Sequence, residues 1–192
     1  MNKTIGKLTI STQISYSHLS GATYEGKKVL VKRLNAKLSS SGIVEKIKRI
    51  KHKNVLALTD VVENQYLVYE FCSEESLTQY VKKHGGSLDE EGVKPLLRQL
   101  LDVYKIFNDN GLLHLRFYPG DILITEEQIV KVGNICLGMS ENSYSDIWSI
   151  GIITYYMLHG RSPYRDIEQL PLDDEFQYTV KNNLSPCCHE VS

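Results

Sequence analysis

Hydrophobic periodicity changes once along this chain, and that change limits what it can fold into. Before residue 72, Lys7-Leu-Thr-Ile-Ser-Thr-Gln-Ile-Ser-Tyr16, Lys28-Val-Leu-Val-Lys-Arg-Leu34 and Gln65-Tyr-Leu-Val-Tyr-Glu-Phe71 alternate polar and β-branched or aromatic residues, the pattern of half-buried strands. One helical interruption, Gly42-Ile-Val-Glu-Lys-Ile-Lys-Arg-Ile-Lys51, places Ile43, Ile47 and Ile50 on one face. After residue 75 the period becomes helical. Ser76 to Lys83 reads as a short amphipathic helix, and Leu88-Asp-Glu-Glu opens a longer one with acids in its first turn. Val93, Leu96, Leu97, Leu100, Leu101 and Tyr104 form its apolar stripe, with Pro95 in its early turns. Strands first and helices second predict an α+β fold with an antiparallel sheet.

Composition removes several function classes. The 192 residues suffice for a sizeable core, and 42% hydrophobic with 23% charged residues is ordinary for a globular domain. A net charge of -1 provides no overall field for nucleic acid or a membrane surface. Cys72, Cys136, Cys187 and Cys188 lack metal-ligand spacing, so a reduced, cytoplasmic protein is expected. No apolar run approaches the roughly 18 residues of a membrane helix, and the start, Met1-Asn-Lys-Thr-Ile-Gly-Lys, has no apolar signal core.

An ordered series of short segments then becomes informative. Glu25-Gly-Lys-Lys-Val-Leu-Val-Lys32 is a strand ending in lysine. Ile50-Lys-His-Lys-Asn-Val-Leu56 follows the first helix, and Leu67-Val-Tyr-Glu-Phe-Cys72 precedes the change of period. Gln99-Leu-Leu101 and Asn110-Gly-Leu-Leu-His114 lead into His114-Leu-Arg-Phe-Tyr-Pro-Gly-Asp-Ile-Leu-Ile124, and Ser145-Asp-Ile-Trp-Ser-Ile-Gly151 comes later. In this order the segments resemble the protein kinase superfamily across essentially the whole chain. The resemblance implies a two-lobed fold, with a small β-rich lobe over residues 1–72 and a helical lobe over 73–192, together one domain. It also implies that Lys32 holds nucleotide phosphates, that adenine docks at Glu70 and Cys72 with Tyr69 as gatekeeper, and that Gly21 is the surviving glycine of a phosphate-covering turn.

Where chemistry is expected, the residues depart from the family. Anchored on Pro119 and Ile122-Leu123, the loop places Arg116 where the family has its catalytic aspartate, Tyr118 at the lysine and Asp121 at the magnesium-binding asparagine. A guanidinium cannot accept a proton at neutral pH. Asn134 occupies the position of the metal-binding aspartate, 13 residues after Asp121 as in the family, so Asp and Asn are exchanged. Asp121 and Asn134 are weak metal candidates, and an Arg116–Asp121 ion pair is the favoured alternative. The turn before Gly21 carries Tyr16 and His18 in place of glycines, Ile43 replaces the glutamate that pairs with the lysine, leaving Glu45 as a substitute partner, and Cys136 replaces a glycine. Only 11 residues separate Asn134 from Asp146, too few for the activation segment, and the sequence stops at Ser192 near where the last helices would begin.

Taken as they stand, these departures predict a truncated pseudokinase: a non-enzyme with degenerate positions Arg116, Asp121 and Asn134 and no resident metal, acting as a scaffold or regulator in signalling through a protein partner such as an active kinase or its substrate. ATP, with or without magnesium, is the one cofactor the resemblance leaves open at Lys32, Gly21, Glu70 and Cys72. Two alternatives stand beside it. One is an ATP-binding sensor; the other is an atypical serine/threonine kinase drawing its base from Asp121 or Glu141.

Overall fold

The computed structural model describes residues 3–15, 19–34, 42–73, 75–112, 118–133 and 144–163. Its first part is one six-stranded sheet built from β1 (Lys3–Ile5), β2 (Leu8–Ser15), β3 (Ser20–Tyr24), β4 (Lys27–Arg33), β5 (Leu58–Val62) and β6 (Tyr66–Glu70). The strand order is β1-β2-β3-β4-β6-β5, antiparallel throughout. Tight turns set this order. Glu25 and Gly26, with φ of 50° and 78°, form a two-residue connection between β3 and β4 whose twist matches the strands it joins. Glu63 and Asn64 adopt the same left-handed geometry between β5 and β6, where the Gln65 amide closes the turn on the Val62 carbonyl at 2.9 Å.

Alternation along the strands then builds two cores. Val29, Val31, Tyr66 and Val68 point to one face of the sheet, where they pack with Leu8 and Ala22. Leu30, Leu67 and Tyr69 point to the other, packing with Leu19, Leu58, Ile47 of helix α1 (Ile43–Arg49) and Ile50 just after it. The second core continues without a break into the helical part through Val55, Leu56 and Leu77 to Leu100, Phe107 and Met157. Burying about two dozen side chains of this size is the dominant favourable contribution to folding.

Helix α2 (Leu77–Lys83) begins with a reciprocal cap: Ser76 Oγ accepts from the Gln79 amide at 3.3 Å while Gln79 Oε1 accepts from the Ser76 amide at 2.8 Å. Helix α3 (Glu90–Asp109) is capped by Asp89, whose Oδ1 accepts from the Gly92 amide at 2.9 Å. Pro95 falls in its second turn, exposed, and denies the helix one ladder bond at the Glu91 carbonyl. A small hairpin, β7 (Ile122–Ile124) with β8 (Val130–Val132), separates α3 from α4 (Tyr144–His159). The predicted α+β class, with sheet first and helices second, is the class observed. Residues 134–143 and 164–192, where the shortened activation segment and the abbreviated end were expected, lie outside the described residues.

Candidate functional site

The sheet fixes where a nucleotide could be held. Strand β4 pairs with β6 so that Lys32 lies opposite Leu67 and Leu30 opposite Tyr69, which places the predicted phosphate-binding lysine on the strand beside the one that runs into residues 70–72. Lys32 is partly buried and engaged in contacts within the fold. Glu45, its proposed substitute partner, stands exposed on α1, and no Lys32–Glu45 ion pair is among the described contacts. Tyr69 is 1% exposed, filling the space between Leu30 and Leu58 on the neighbouring strands. Gly21 lies within β3 opposite Leu30, buried in the sheet; the turn residues Tyr16 and His18 ahead of it are outside the described residues.

The segment after β6 leads directly to the catalytic-loop frame. Ser73 Oγ donates to the Ile124 carbonyl at 2.6 Å, the Ile124 amide donates to the Glu75 carbonyl at 2.9 Å, and Ser76 bridges Leu123 antiparallel. Strand β7 is therefore held alongside the chain that leaves the hinge, and Asp121 immediately precedes it. Asp121 is 2% exposed, with its amide donating to the Tyr118 carbonyl at 2.9 Å, and it has further contacts within the fold. Because Ile122 pairs with Val132, the start of β7 and the end of β8 arrive level with each other. Asp121 thus comes beside Gly133, the last described residue before Asn134. Arg116 and Asn134 themselves, the Arg116–Asp121 pair, Cys136 and Glu141 lie outside the described residues, as does the side chain of Asp146. Among the described residues no group of three or more His, Cys, Asp or Glu could hold a metal ion.

Glu70 ends β6, and Cys72 follows two residues later. The Glu70 carboxylate accepts from Lys131 Nζ at 2.7 Å and from the Ala57 amide at 3.2 Å. Cys72 is half-buried, and burial pushes its thiol up to about 11; the nearby Lys131 ammonium opposes that rise and the Glu70 carboxylate adds to it. Lys28 covers the ring of Phe71 at 4.2 Å, shielding the middle hinge residue from one side.

Two structural groups here were not foreseen. Lys131 received no role in the sequence, although its place between the buried Val130 and Val132 on a strand directs it to the opposite face. Asn54 and Gln99 were each matched to family segments without any indication that they touch. They do: Asn54 Nδ2 donates to Gln99 Oε1 at 2.7 Å and to the Val130 carbonyl at 2.9 Å.

A β-rich first part, a helical second part, a lysine strand beside a hinge and a buried acidic residue opening a short hairpin define a protein-kinase-like domain. A protein-family model described as protein tyrosine and serine/threonine kinase matches residues 2–143, and the chain belongs to that family. It is similar to the sperm motility kinase Tcr mutant form of Mus musculus, 25% identical over 84% of this chain and 39% of the relative. Serine/threonine-protein kinases ATG1b and ATG1c of Arabidopsis thaliana are each 24% identical, covering 100% and 86% of this chain and 32% and 27% of their own lengths. The chain spans between about a quarter and two fifths of these relatives. The expectation that the chain is not an enzyme is overturned by them, since they are named kinases and nothing in the described site shows inactivity. That expectation rested on Arg116 and on the short stretch after Asn134, and Arg116 and residues 134–143 lie outside the described residues. Among the described residues, no helix is long and apolar enough to cross a membrane.

Proposed function

We propose that the chain is an ATP-binding, atypical serine/threonine kinase domain that acts in signalling through a protein partner. The observation that carries this reading is the β4–β6 register, which sets Lys32 beside the strand entering the hinge. A lysine there meets phosphate oxygens as a point charge while the hinge backbone meets the base. Asp121 offers one buried carboxylate beside the end of β8, and magnesium needs no more from a protein when phosphates and water complete its octahedron. In such a site the ion would neutralise charge on the phosphates.

Arg116 sets the rate expected of this chemistry. Phosphoryl transfer passes through a loose transition state in most analyses, so positioning and electrostatics contribute most and proton removal contributes less. A guanidinium at the base position should therefore slow transfer by the roughly 10²- to 10⁴-fold worth of a general base while leaving nucleotide binding intact. A net charge of -1 favours a protein partner over nucleic acid. The test is transfer of labelled γ-phosphate to a serine/threonine peptide library, with Lys32→Ala as control. Slow transfer that vanishes in the variant is expected; transfer at equal rate in both would attribute the signal to a contaminating kinase and remove the support.

A further inference from the structure

Glu70 closes β6 and opens the hinge, and its carboxylate is held twice. Oε1 accepts from Lys131 Nζ at 2.7 Å and from the Ala57 amide at 3.2 Å, while the Glu70 amide donates to the Ala57 carbonyl at 3.0 Å. Three segments distant in sequence meet at this one carboxyl group: the linker before β5, the hinge and β8. The side chains are 17% exposed for Lys131 and 36% for Glu70, so water screens this pair less than it screens Lys7–Glu25, where the values are 73% and 51%. Strand β8 is itself fixed from the other side, because the Val132 amide donates to the Asn54 carbonyl at 2.9 Å and the Leu56 amide to the Val132 carbonyl at 3.0 Å. A rigid strand therefore presents the ammonium that holds the hinge carboxylate.

We propose that Glu70 and Lys131 are positioning residues for the nucleotide, acting as a clamp that sets the hinge backbone of residues 70–72 at a fixed distance from β8. The inference rests on the ATP-binding reading above and deepens it. An adenine edge is read by main-chain groups whose placement must be accurate, and a hinge already held in place loses less conformational freedom when the base arrives. Neither side chain needs to touch the ligand. The carboxylate fixes Ala57 and the ammonium fixes the carboxylate, so loss of either member releases the same backbone.

The experiment uses the whole chain with a fluorescent ATP analogue and amide hydrogen exchange read by mass spectrometry. Glu70→Gln, Lys131→Met and their combination are compared with the conservative Lys131→Arg. The clamp predicts a nucleotide dissociation constant about tenfold weaker in each single variant, faster exchange at Ala57 and residues 70–72, a double variant no worse than either single, and near-normal behaviour in Lys131→Arg. Wild-type affinity in Lys131→Met, or a double variant whose loss equals the product of the single losses, would overturn it. If the unaltered chain binds no nucleotide, the ATP-binding reading fails and the exchange measurement still decides the clamp: faster exchange in Lys131→Met supports it, and unchanged exchange rejects it.

Discussion

Asn54 and Gln99 are joined by a 2.7 Å hydrogen bond between their side-chain amides, and through it the loop after α1 is fastened to α3. Gln99 Oε1 also accepts from the Val130 amide at 3.0 Å, and its Nε2 donates to the Gln128 carbonyl at 3.0 Å. One glutamine on α3 thereby ties strand β8 to the loop that follows α1. Asn54 is fully buried, so the Val130 carbonyl it serves has no water to fall back on. Replacing it with alanine should cost about 1–3 kcal/mol. Urea unfolding of Asn54→Ala measures this; an unchanged midpoint would mean the node contributes nothing.

Gly133 directly follows β8, and a Cβ built there runs into the Leu56 side chain. Gly133→Ala should therefore destabilise by about 1–3 kcal/mol through overpacking. Shortening the neighbour should relieve it. The combination Gly133→Ala with Leu56→Ala is expected to lose less than the two single changes added together, as a thermal-unfolding cycle would reveal.

Gly160 ends α4 in the left-handed region, φ 67°, with its Cβ direction blocked by the Gly86 backbone carbonyl. Close by, the Leu88 amide donates to the Met157 carbonyl at 2.7 Å, so the turn after α2 and the end of α4 are in backbone contact. Gly160→Ala should lower stability by at least about 1–2 kcal/mol from the backbone conformation alone. A substitution at Gly151, exposed in mid-helix with open space around its Cβ direction, should be neutral or stabilising in the same assay.

Tyr24 donates its hydroxyl to Asp60 at 2.5 Å across the sheet. That bond holds the phenol up at about 12 and, together with the Val61 amide, holds the Asp60 carboxyl below its ordinary value. The signs are opposite. The raised phenol contributes stability fully present below about pH 10, its unfolded value, and lost as pH climbs toward about 12; the depressed carboxyl contributes stability present above about pH 4 and lost on further acidification. Thermal midpoints of Tyr24→Phe across these two windows should show a flatter pH dependence than the unaltered chain. Parallel curves would show that the bond does not act in solution.

Much of the fold was legible because the periodicities were strong and locally consistent. The alternation in Lys28 to Leu34 and Gln65 to Phe71 marked two central strands, and the stripe from Val93 to Tyr104 marked α3. The same patterns cannot show which side chains meet across the molecule. Asn54 with Gln99 and Glu70 with Lys131 pair residues 45 and 61 positions apart, and no local propensity encodes either contact. The site was legible as positions on strands more than as chemistry: Lys32 lies on β4 and Asp121 just before β7, whereas the engagement of the Glu70 carboxylate by Lys131 and Ala57 was not legible. The inference of inactivity came from Arg116 and from the shortened activation segment, and a family of named kinases does not sustain it.

Nucleotide binding at Lys32 is the claim on which the functional account depends, and calorimetric titration of the whole chain with ATP in the presence of magnesium tests it most directly. The account predicts saturable one-to-one binding that Lys32→Ala weakens by an order of magnitude or more. Absence of binding by the unaltered chain, or equal binding by Lys32→Ala, would contradict it.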